Sequence, residues 1–104
     1  MTRDFDLGPV DRIPPGEGRT FDLGSVRVAV FRTRSGSVHA TQADCPHRAG
    51  PLADGLVGDG CVVCPLHGYK YDLATGDPLG HACGPIAVHV VSITSDGRVM
   101  LSLD

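Results

Sequence analysis

Two short words constrain this chain more than anything else in it: Cys45-Pro46-His47 and, with sixteen residues between His47 and Cys64, Cys64-Pro65-Leu66-His67. Each offers one thiolate and one imidazole inside a Pro- and Gly-rich stretch, so each reads as a loop tip. The fold must therefore bring two loops together over residues 45–71, around two sulfur and two nitrogen ligands.

The flanking sequence predicts β structure. Residues 26–32 alternate, with Val26, Val28 and Val30 pointing one way and Arg27 the other, while Ala29 and Phe31 keep the second face from being fully wet. Further strands are predicted over 5–10, 19–23, 38–43, 61–63, 69–72, 86–94 and 98–103. Turns are expected at 14–18, 34–37, 55–60, 73–78 and 95–97, and a third loop at 80–85. Fourteen glycines and eight prolines in 104 residues favour such short elements over helices. The words Phe5-Asp6-Leu7-Gly8 and Phe21-Asp22-Leu23-Gly24 repeat, which reads as chance or a shared way of ending a strand.

A net charge of -3 and scattered basic residues give no footprint for nucleic acid. The N-terminus lacks a signal-peptide core and no apolar run reaches the roughly 20 residues of a membrane span, so a soluble, cytoplasmic protein is expected. In that compartment the four cysteines suit a metal better than disulfides.

One candidate metal is a single zinc. Zinc sites usually pair like ligands, whereas here each pair mixes sulfur with nitrogen, and only Pro46 separates Cys45 from His47. That bite suits one tetrahedral ion poorly, though a zinc-stabilised interaction module remains the competing reading. A two-iron cluster fits better, with Cys45 and Cys64 on one iron and His47 and His67 on the other. Two ferric ions and two sulfides leave two positive charges; four thiolates would make a dianion, while two thiolates and two neutral imidazoles leave the core neutral. An electron enters a neutral centre more easily, which is why His-for-Cys replacement raises potentials to about -150 to +300 mV from about -400 mV. The iron charge should also acidify the outward imidazole N–H groups, so the potential should fall as pH rises past their pKa.

These residues resemble the Rieske 2Fe-2S family motif. The likeness extends over about 5–103, through Arg48-Ala49-Gly50-Pro51-Leu52, Gly55, Asp72-Leu73 and Thr75-Gly76, and is similar to small soluble Rieske ferredoxins. It implies a mainly β Rieske fold with antiparallel β-sheets, sandwich- or barrel-like. Residues 1–104 would form a single domain whose cluster-binding subdomain, about 44–72, consists of two loops. Cytochrome bc relatives carry an extra Cys in each loop, where this chain has Gly50 and Leu66, so their disulfide is excluded. Tyr69 stands where those proteins place a Ser after His-Gly, which implies loss of a hydrogen bond to a bridging sulfide and a lower potential. Tyr71 argues the other way: high-potential relatives use a tyrosine there, and its hydroxyl is expected to donate to the Cys45 sulfur.

Around the ligands, Leu66 reads as an apolar lid and Gly68 as part of the loop. Cys61 is expected to be a small buried hydrophobe, and Cys83 to pack in the third loop, which resembles the loop covering the cluster in relatives. His39 and His89 are expected on strands at a polar edge, and His81 at the cluster mouth. Arg48 and Lys70 read as solvated surface or docking charges. No dinucleotide fingerprint is present, and the length leaves no room for a second catalytic metal or a flavin domain. The resemblance implies a one-electron carrier without catalytic residues, serving a flavin-dependent reductase and a terminal oxygenase. The alternative is a small subunit attached to a large NADH-dependent nitrite reductase subunit.

Overall fold

The computed structural model describes residues 3–44, 51–58, 60–65, 68–80 and 84–103. Two antiparallel sheets account for the architecture. The larger contains β1 (Arg3–Pro9), β2 (Glu17–Asp22), β3 (Arg27–Arg32), β4 (Val38–Gln42), β9 (Val88–Ile93) and β10 (Arg98–Leu103), in the order β1-β10-β9-β4-β3-β2. The smaller contains β5 (Leu56–Gly58), β6 (Cys61–Val63), β7 (Lys70–Asp72) and β8 (Pro78–Leu79), paired in chain order. Among the described residues no helix is long and apolar enough to cross a membrane.

Strand β3 joins two cores because it is apolar on both faces. Val28 and Val30 pack with Leu7, Ile13, Ala40, Val99, Leu101 and Leu103. Ala29 and Phe31 point the other way, against Leu52, Val62, Cys64, Tyr71, Leu73 and Ile86. The first cluster fills the large sheet; the second fixes the small sheet against it. Leu52 is delivered by a 3-10 turn, Leu52–Asp54, which follows directly on the first ligand loop.

The repeated Phe-Asp-Leu-Gly words are a shared strand ending. Asp6 Oδ1 accepts the Gly8 N–H, and Asp22 Oδ1 accepts the Gly24 N–H, each at 2.9 Å. Asp6 also takes the Arg98 guanidinium on both oxygens, at 3.1 and 2.8 Å, tying β1 to β10. That pairing, followed by the Gly8 N–H, holds the Asp6 carboxyl below its usual range.

Four expectations need correction. Residues 56–58, read as part of a turn, form strand β5: Leu56, Val57 and Gly58 pair with Val63, Val62 and Cys61. Pro78, read as the end of a turn, and Leu79 after it form β8 and pair with Tyr71 and Lys70. Cys61 is half-buried, since alternation sends Val62 into the core and turns its neighbours outward. His39 and His89 lie on inner strands, because β4 and β9 pair with one another through Ala40–His89 and Thr41–Val88. Burial pushes the His89 imidazole pKa down.

Candidate functional site

The second ligand loop is built as a closed turn. Strand β6 carries the chain to Cys64, whose N–H donates to the Tyr69 carbonyl at 2.7 Å. The Gly68 N–H donates back to the Cys64 carbonyl at 3.2 Å. Both ends of the loop are thereby fixed before β7 begins at Lys70. The Cys64 side chain is 2% exposed and shares its core with Leu52, Phe31 and Tyr71, the last completely buried. A thiolate there lies in apolar surroundings, as a ligand needs if water is to be kept from the metal.

The first ligand loop is fixed at its two feet. Asp44 and Pro51 form an isolated β-bridge, and the Leu52 N–H donates to the Ala43 carbonyl at 3.0 Å. Gly55 brings the same segment against β6: a Cβ there would overlap the Val63 carbonyl oxygen, one residue before Cys64. Only hydrogen fits between the two backbones. Cys45, His47, Arg48, Gly50, Leu66, His67, His81 and Cys83 lie outside the described residues. Of the four expected ligands the structure therefore places Cys64, together with the feet of both loops. Of the surrounding residues it places Gly68 and Tyr69 at the loop closure, Lys70 exposed on β7, and Tyr71 buried in the core that contains Cys64. The buried Cys64 thiol and the closed turn fit the sulfur side of a metal centre.

One residue at the site carries no signal in the sequence. The Gln42 side-chain amide donates from Nε2 to the Asp44 carbonyl at 2.7 Å and accepts the Ala87 N–H on Oε1, also at 2.7 Å. Its own N–H donates to the Ala87 carbonyl at 3.0 Å. Residues 42 and 87 are far apart in sequence, so no motif or local period could have singled it out. Beyond Ala87, the Ile86 N–H donates to the Gly76 carbonyl at 2.9 Å. Gly76 has φ +82° and its Cα lies so close to the Ile86 carbonyl that a Cβ would overlap it. Asp72 shapes that turn, its Oδ1 accepting the Ala74 and Thr75 N–H groups at 2.8 and 3.1 Å.

The family described as the Rieske [2Fe-2S] domain matches residues 4–91. The anthranilate 1,2-dioxygenase ferredoxin subunit of Burkholderia cepacia is 35% identical over 101 residues, covering 93% of this chain and 89% of that protein. The 4beta-methylsterol monooxygenase of Methylococcus capsulatus is 38% identical over 61 residues, 59% of this chain, but the match spans only 16% of that protein. Among solved structures, the small subunit assigned to an NADH-dependent nitrite reductase from Mycobacterium tuberculosis superposes with a TM-score of 0.91 at 25% identity, covering 100% of this chain and 97% of that one. The ferredoxin-containing complex of carbazole 1,9a-dioxygenase, reduced oxygenase with oxidized ferredoxin, gives 0.82 at 26% identity, covering 94% and 91%.

Proposed function

We propose, from the premise that this chain belongs to the Rieske [2Fe-2S] domain family, that it takes single electrons from a flavin-dependent reductase and passes them to a terminal oxygenase. Its cofactor is one Rieske-type 2Fe-2S cluster, which when bound supplies reversible one-electron chemistry. Cys45 and Cys64 would hold one iron, and His47 and His67 the other. The chain itself performs no bond-making step. Its residues hold the ligands: the closed 64–69 turn and the Asp44–Pro51 bridge fix the two loops, and Leu52 and Tyr71 exclude water beneath them.

Residues 1–104 act as one unit in this reading, with the cluster-binding subdomain at about 44–72 in a cytoplasmic protein. A net charge of -3 suits transient electrostatic docking to a reductase and offers nothing to nucleic acid. The observation that carries the proposal is the near end-to-end likeness to a dioxygenase ferredoxin subunit. The family match favours the cluster over a lone zinc.

Anaerobic purification tests it. The protein should be brown, give a rhombic EPR signal on reduction, and oxidise a flavin reductase at the expense of NADH. A colourless protein holding one zinc sinks the proposal. The nitrite reductase small subunit reading is supported by the superposition over the full chain. It predicts a stable complex with a large sirohaem subunit, where the carrier reading predicts weak, reversible association.

A further inference from the structure

Resting on the cluster reading above, we propose that Gln42 is a positioning residue that sets the relative placement of the two ligand loops. Its amide is bonded both to the foot of the first loop and to the segment returning to the large sheet. The carbonyl it holds belongs to Asp44, the residue before Cys45. The N–H it holds belongs to Ala87, whose neighbour Ile86 is buried in the core that contains Cys64.

From Ile86 the connection runs on by backbone. The Ile86 N–H reaches the Gly76 carbonyl, and the Gly76 N–H reaches the Asp72 carbonyl at 2.7 Å. Asp72 ends β7, the strand that leaves the second ligand loop. An unbroken path of short bonds thus joins the residue before Cys45 to the strand after Cys64, and Gln42 is its one side-chain link. The amide is suited to the task because it must donate at one end and accept at the other. Glutamate offers two acceptors, leucine neither group, and asparagine is one methylene short.

A four-ligand cluster shared between two loops senses their separation. If the Gln42 amide lets go, the first loop loses its side-chain tie to Ala87 and keeps the Asp44–Pro51 bridge, the Leu52 N–H to Ala43 carbonyl bond and the Arg27–Asp44 ion pair at 3.6 Å. Water then reaches the centre more readily and favours the more charged, reduced form.

The test uses the whole chain loaded with its cluster. In Gln42→Leu, exchange of the Ala87 amide should accelerate about tenfold, the scale expected from lost modest hydrogen bonds. Cluster loss to a chelator should accelerate similarly, the reduced EPR g-values should change, and the midpoint should shift upward. Gln42→Glu should keep Ala87 protected through its remaining acceptor, yet still lose the cluster faster, because a carboxylate faces the Asp44 carbonyl. If Gln42→Leu does not fold, Gln42→Glu decides. Wild-type EPR, midpoint and cluster-loss rate in the folded variants, even with a lower Tm, would mean a structural role only and overturn the proposal. A wild-type chain without a 2Fe-2S spectrum removes the carrier reading and this role together, whereas wild-type spectra with unaltered variants remove this role alone.

Discussion

Replacing Gly55 by alanine should destabilise the protein and disturb the cluster together. The backbone at Gly55 is ordinary, with φ -78° and ψ 172°, so conformational strain is not the cause. The added methyl would overlap the Val63 carbonyl oxygen and stand 3.1 Å from the Leu52 carbonyl oxygen. Relief to an ordinary contact of about 3.5 Å requires the Gly55 backbone and β6 to part by more than about 1 Å. Overpacking of this kind costs about 1–3 kcal/mol. In a domain of this size 1 kcal/mol lowers Tm by roughly 4–8 °C, so a drop of about 8–16 °C is expected for a cost near 2 kcal/mol. Gly58 provides the control: it lies three residues on, at the end of β5, and a Cβ there meets nothing within 4 Å. Gly58→Ala should be neutral, or stabilising by about 0.4–1 kcal/mol through the unfolded chain. Calorimetry on both variants, with cluster content read from visible absorption, checks the pair. Equal Tm values for Gly55→Ala and Gly58→Ala would refute the close approach of the two backbones beside Cys64.

Substituting any one of Cys45, His47, Cys64 or His67 by alanine should abolish the visible spectrum while the far-UV CD stays β-like; a retained 2Fe-2S spectrum in Cys64→Ala would remove that residue from the ligand set. Tyr71→Phe should lower the midpoint modestly by voltammetry, and an unchanged value would mean that its hydroxyl does not reach a ligand sulfur. Burial lowers the His89 pKa in the fold, so the unfolded chain takes up a proton first as pH falls. The stability linked to His89 is complete above its unfolded value near 6.5 and is lost below it, toward the folded pKa. His89→Gln should flatten the Tm profile in that window, and an identical acid-side slope in the two proteins would exclude this linkage.

Legibility in the sequence followed the range of the forces involved. Strands β6 and β10 have the limits that alternation and flanking Gly and Asp implied, because their patterns are local. The Cys and His words are equally plain as a local pattern, and of their four proposed ligands the structure places Cys64, buried just after β6. Strands β5 and β8 were hidden by composition. A two- or three-residue strand rich in Gly or Pro has no period to display, and it forms because β6 and β7 offer it a partner. The inner position of His39 and His89 depends on β4 meeting β9, a pairing between distant segments. Gln42 was invisible for the same reason: its amide is commonplace, and its meaning comes from Asp44 and Ala87.

The pairing of β4 with β9 has a further consequence. Residues 43–87 depart from one strand and return on its immediate neighbour, so the large sheet sees everything between them as one closed loop. The entropy of closing such a loop grows only slowly with its length, by about 0.6 kcal/mol for each doubling. Additions or deletions at the outer tips of this excursion should therefore leave the register of the six strands untouched. The excursion is in effect a cassette, and a donor segment spliced between the same two strands needs only to present a matching apolar face to Ala29 and Phe31 of β3.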